Sequence, residues 1–192
     1  MSTISNVLRA LEPWGFGLDG VETKLRSDKL DEHAVIFRRT KPVSPAMSMA
    51  VFYNKIFISA ENLDWEGAED FITAVNAGID AVKEGVNPVV QSQQLVLGIH
   101  IQLKDKPRVD VMKPLINPKA LGLLDSGLKF PGVIVTGESL NVIIEASVVY
   151  ANGLWVRLFR DHVGNATLHD VAQKLRADEE RLFDVLGLEG IL

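Results

Sequence analysis

His33, His100, His162 and His169 are the side chains of this sequence best suited to bind a metal or move a proton near neutral pH. None of them pairs at i, i+4 with a glutamate between, the spacing by which one helix face holds zinc beside a general base. Asp161-His162 and His169-Asp170 flank a strand-to-helix turn, where two imidazoles and two carboxylates could converge on a metal or share acid–base work. The plainer reading ends a strand at His162 and puts His169 in the first turn of a helix. His100 stands with Gln94 and Gln102 on the polar side of an alternating strand, which suits a solvated sheet face or the lining of a ligand groove. Glu145 and Arg160 are expected to face one another across a hairpin, as an ion pair that secures its register. Phosphate-cradling glycine loops of the types G-x-x-x-x-G-K and G-x-G-x-x-G are absent, and so is the G-x-S-x-G nucleophile elbow. Gly132 to Gly137 is a strand between two turns, and Ser139 lacks surrounding glycines. No catalytic residue is assigned, and no metal or cofactor is expected.

Composition narrows the classes further. The 192 residues suffice for one large domain or two small ones, and 47% hydrophobic with 23% charged residues is an ordinary globular balance. The absence of cysteine removes disulfides, thiolate nucleophiles and cysteine-based zinc sites. A net charge of -5 argues against general nucleic-acid binding, which needs basic surface to release counterions. MSTISNVLRALEPWG shows no charged n-region followed by an apolar stretch, and no apolar run is long enough to span a bilayer, so a cytoplasmic location is expected. Lys104, Lys106, Arg108, Lys113, Lys119 and Lys129 gather in one irregular segment. That cluster reads as a solvated loop, or as a docking site for an acidic partner with salt-sensitive binding.

The elements that position these residues are legible in the spacing of apolar side chains. Leu140 to Asp161 reads as a long hairpin turning at Asn152-Gly153, a pair that tolerates the positive φ angles of a two-residue turn. That turn sets Tyr150 opposite Trp155 and Glu145 opposite Arg160. It leaves neither face of the hairpin polar, so a second layer, a ligand or another subunit is expected on the second face. Ser5 to Leu11 suggests a short helix ended by Pro13. Strands follow over Leu18 to Arg26, His33 to Thr40 and Met47 to Ser59, the last folding back near Asn54-Lys55. Asp64 opens a long helix with the stripe Trp65, Ala68, Phe71, Ile72, Val75, Ile79 and Val82, stopping at Gly85. Gln93 to Lys104 alternates as a half-exposed strand. A short helix is expected around Lys119 to Leu124 and a strand over Val133 to Thr136. A last helix starts at Thr167, with Asp170 in the capping-box position and Gly187 as its stop, and it could restart after a kink at Asp178-Glu179-Glu180. The order strands, helix, strands, helix predicts an α+β fold: an antiparallel sheet with two long helices packed on one face. One domain over 1–192 is expected, with a division near 88–91 into two strands-plus-helix halves as the alternative.

The run VFYNKIFISAENLDWEGAEDFITAVNAGIDAVKEG, followed by QSQQLVLGIHIQLKD, resembles a pattern in a sporadically distributed family of uncharacterised bacterial proteins. The pattern is a strand, a polar turn, a strand, an aromatic residue opening a long helix, and a further strand. It covers the middle third of the chain, and the family's polar stretch on the last strand is replaced here by Gly98-Ile99-His100-Ile101-Gln102. The resemblance implies no activity. The expected function is a non-enzymatic cytoplasmic binding or assembly module that forms a homodimer, with a protein partner as a further expectation. The alternative is a small-ligand-binding protein or enzyme with a pocket between the sheet and residues 104–130. His100, Gln102, Tyr150 and Trp155 are the candidate ligand-binding residues.

Overall fold

A computed structural model describes residues 3–25, 29, 32–42, 45–86, 92–104, 106–116, 132–162 and 167–188. The fold is α+β, as the element order predicts. Its strands form two four-stranded antiparallel sheets, in the orders β1-β2-β3-β4 and β5-β8-β7-β6. The chain divides into two compact units, Met1–Val89 and Val90–Leu192, each holding one of these sheets. A single sheet with both long helices on one face is therefore not what forms: each long helix belongs to a different unit. The reason is local pairing. Strands joined by short connections close on their sequence neighbours, so the first meander is complete before its long helix begins.

In the first unit, α1 (Thr3–Leu11) leads through a turn of 3-10 helix containing Pro13 into β1 (Phe16–Lys24). β2 (Ala34–Arg39), β3 (Ala46–Phe52) and β4 (Ile56–Glu61) complete the sheet, and β3 turns back at Tyr53 to Lys55. In α2 (Trp65–Val86), Asp64 Oδ1 accepts the Gly67 N–H at 2.7 Å, satisfying one of the free amides of the first turn. Val7 and Leu11 of α1, Phe37, Met47 and Met49 of the sheet, and Ala81 and Val82 of α2 form the core. The expected stop at Gly85 does not occur. The helix continues to Val86, and Gly85 serves packing instead, since a Cβ there would lie 2.4 Å from Thr3 Oγ1 of α1.

The second unit comprises β5 (Gln93–Gln102), α3 (Arg108–Met112), β6 (Val133–Thr136), β7 (Leu140–Ala146), β8 (Gly153–His162) and α4 (Leu168–Leu186). The helix expected around Lys119 to Leu124 lies outside the described residues. The Thr167–Asp170 capping box opens α4, and Gly187, at φ 62°, closes it. No restart occurs at Asp178-Glu179-Glu180: the helix runs through, with Glu179 buried and Asp178 bound to Arg160 of β8 at 2.6 Å. Val142, Ile144, Leu154, Val156 and Leu158 of the sheet meet Leu175, Phe183 and Leu186 of α4 in the core, with Val111 and Met112 of α3. Among the described residues, no helix is long and apolar enough to cross a membrane.

Candidate functional site

The hairpin of β7 and β8 decides what the second unit presents. Ala146 pairs with Leu154, Glu145 with Trp155 and Leu140 with Arg160, so the connection runs from Ser147 to Asn152 and not through Asn152-Gly153 alone. The two-residue turn is thus overturned, and with it the pairings of Tyr150 with Trp155 and of Glu145 with Arg160. The slip is an odd number of residues, which turns β8 over relative to β7. Val142, Ile144, Leu154, Val156 and Leu158 now share one buried face, whereas the expected register divided them between two. Asn152 is used in tertiary contacts: its Nδ2 donates to the Leu103 carbonyl at 2.8 Å and its carbonyl accepts the Leu103 N–H at 2.9 Å. Gly153 begins β8 beneath the loop, where a Cβ would lie 2.6 Å from the Ile101 carbonyl oxygen and 2.7 Å from Tyr150 Cβ.

The opposite face of this sheet carries a row of rings and charges. His100 on β5 faces Trp155 on β8, with ring centroids 5.5 Å apart and planes 8° from parallel. The Arg157 guanidinium carbon lies 4.2 Å from the Trp155 ring centre and 5.9 Å from that of Phe159. Arg157 Nη2 also donates to Glu145 Oε2 at 2.6 Å, diagonally across to β7. Stacking on aromatic faces and forking onto a carboxylate are both properties of the planar guanidinium. The pair is partly exposed, so it contributes at most about 1 kcal/mol. Ile143 stands opposite Arg157, and Val96 and Asn141 flank Phe159. Val96 is 51% exposed and Ile134, opposite Ile143 on β6, is 68% exposed, so aliphatic surface extends the row toward both sheet edges. Asn141 Oδ1 and Arg157 Nε are buried without a hydrogen-bond partner among the described residues, as is Arg39 Nε in the other sheet.

Ser147 organises one end of the row. Its Oγ accepts the N–H groups of Val149 at 3.0 Å and Tyr150 at 3.1 Å, and lies 2.9 Å from His100 Nδ1. A hydroxyl has two lone pairs and one proton. The Ser147 hydroxyl thus ties the His100 ring to the loop that carries Val149 and Tyr150.

Of the four expected ligand-binding residues, the structure joins His100 and Trp155 as a stacked pair. Tyr150 lies in the loop beside Gly153, and Gln102 is exposed at the end of β5, two residues from His100. Ser147, Arg157, Glu145 and Phe159 complete the row and were not among those expected. A search for the register that puts Val142, Ile144, Leu154, Val156 and Leu158 on one face would have brought Arg157, Glu145 and Phe159 together on the other. Asp161 accepts from Gln94 Nε2 at 2.7 Å, His169 is bonded to Gln173, and Asp170 is held by Thr167. Among the described residues, no group of three or more His, Asp or Glu side chains could hold a metal ion. Lys113 of the basic cluster is paired with Asp110, while Lys119 and Lys129 lie outside the described residues. So does most of the segment expected to cover a ligand pocket, since 105 and 117–131 are not among them. In the first unit, an apolar gap of about 10 Å³ lined by Leu11, Phe16, Met49, Phe71 and Val75 holds no more than a water.

Comparison with known proteins finds no family model that matches the chain and no curated protein similar to it. The function is therefore read from the geometry of this face.

Proposed function

We propose that the protein is a non-enzymatic, cytoplasmic binding or assembly module that self-associates as a homodimer through its second unit. The observation that carries this reading is the outer face of the β5-β8-β7-β6 sheet. The opposite face is closed by α4 and its own apolar core, whereas Val96, Ile134, Trp155 and Phe159 stay partly exposed beside Arg157 and Glu145. Exposed apolar surface rimmed by polar groups favours contact with another macromolecule. Rings and a guanidinium supply large area at low entropic cost, as in the centres of known interfaces. The bacterial-family resemblance of residues 51–105 belongs to the same reading and adds no activity to it.

Native mass spectrometry of the purified protein tests this directly. A dimer without retained small molecules is the expected result. A monomer carrying a stoichiometric adduct would overturn the proposal in favour of a ligand-binding protein. Trp155→Ala is expected to lower the dimer fraction while the circular dichroism spectrum is retained.

A further inference from the structure

Each strand at a sheet edge carries a row of N–H and C=O groups with no ladder partner, and proteins blunt such edges with charges, prolines, bulges or short length. The two sheets have four edges, β1, β4, β5 and β6. β1 has a broken register between Phe16 and Val21 and carries Asp19, Glu22 and Lys24. β4 has six residues, ending at Glu61, and is followed by Asn62 at φ 58°. β6 has four residues. β5 has ten, with no charge and no proline, and its register with β8 is unbroken from Gln93↔His162 to Gln102↔Gly153. Among the described residues, no strand pairs with its other side. The longest and most regular edge among the described residues is the one without protection.

We propose that β5 pairs antiparallel with β5 of a second copy of this chain about a twofold axis at Gly98, joining two four-stranded sheets into one of eight strands. The proposal rests on the reading of the protein as a self-associating module and puts the contact at the β5 edge, where the outer face continues across the axis and Trp155 acts through its stack on His100 of β5. A twofold axis perpendicular to a sheet keeps every residue on its own face and uses one patch twice. Centred on Gly98, it sets Leu97 against Ile99, Leu95 against Ile101, Gln94 against Gln102 and Val96 against His100. Leu95, Leu97, Ile99 and Ile101 meet aliphatic side chains, Gln94 meets Gln102, and Val96 meets the His100 ring. The strand carries no Asp, Glu, Lys or Arg, so no like charges are set opposite one another. Leu95, Leu97 and Ile99 are only partly buried within one copy, and the neighbouring strand would cover them. The axis itself is uncrowded: a Cβ at Gly98 would come no closer than 3.7 Å to Trp155 Nε1. This pseudo-palindromic strand selects a second copy as its occupant over an unrelated segment.

The chain lacks cysteine, so Gly98→Cys introduces a single thiol at the axis. Directly opposed residues of an antiparallel pair lie about 4.5–5.5 Å apart at Cα, within the reach of a disulfide. Mild oxidation is expected to convert Gly98→Cys into a covalent dimer, and to leave Val148→Cys, in the 89% exposed loop position, uncross-linked. Val96→Lys adds a charge beside the axis on an exposed position. It is expected to shift the native mass spectrum from dimer to monomer with an unchanged circular dichroism spectrum. A native dimer that Gly98→Cys fails to cross-link and Val96→Lys fails to dissociate would overturn the β5 contact while leaving self-association standing. A monomer at every concentration tested would overturn both.

Discussion

Ser147 Oγ accepts hydrogen bonds from the amides of Val149 and Tyr150 and shares one with His100 Nδ1. Ser147→Ala leaves two amides and a ring nitrogen without their partner. Because these groups are exposed or only part-buried, it is expected to lower stability by about 0.5–1.5 kcal/mol, read as a shift in urea midpoint. Amide exchange at Val149 and Tyr150 should speed up before the rest of the unit. His100→Phe keeps a ring against Trp155 and removes only the hydrogen bond to Ser147, so its cost should be smaller. Arg157 shows the same economy of groups, since one guanidinium lies against two rings and donates to Glu145. His100 and Trp155 were legible as candidates from their residue types. Arg157 and Ser147 were not, because their roles depend on which residue stands across the strand.

Two contacts tie α4 to its sheet and to its own start. Arg160 Nε donates to Asp178 Oδ2 at 2.6 Å, with side chains 18% and 9% exposed. Removing one partner of a pair this enclosed leaves a poorly solvated charge, so Asp178→Ala is expected to cost about 3 kcal/mol in a denaturation measurement. Replacing both with apolar residues should cost less. At the N-terminus of α4, the hydrogen bond from the Thr167 hydroxyl, and secondly that from its backbone N–H, hold the Asp170 carboxyl below its ordinary value of 3.8. A depressed folded value means that this stability is complete above the unfolded carboxyl's range and is lost as pH falls through the folded value. The stability difference between the native protein and Asp170→Asn should therefore be full at neutral pH and vanish in strong acid. Urea midpoints of both proteins across the acid range check this. The cap itself was readable, since Thr167 and Asp170 stand at the spacing that lets side chain and amide exchange bonds.

At the scale of the whole chain, each unit encloses its own sheet, long helix and core. Units built this way unfold as separate cooperative transitions unless something couples them. Calorimetry is expected to show two transitions, and residues 1–89 and 90–192 expressed separately should each unfold cooperatively. A single transition that neither fragment reproduces would refute that independence. The strands-then-helix order recurs along the sequence, yet order alone does not say which strands share a sheet.

The sequence by itself determined most elements and some of their ends: the stripe of α2, the alternation of β5, the Asp64 and Thr167 caps and the Gly187 stop. Those signals act within a few residues, and nothing in the fold opposes them. Only the tertiary structure decided the register of the hairpin and, through it, the partners of Glu145 and Arg160. An Asn-Gly turn is a local preference. Matching Val142 and Ile144 with Leu158 and Val156 on one buried face is worth about 1.5–3 kcal/mol for each large side chain. Burial won by magnitude, and the turn residues went to anchor Leu103 and to make room beneath Tyr150.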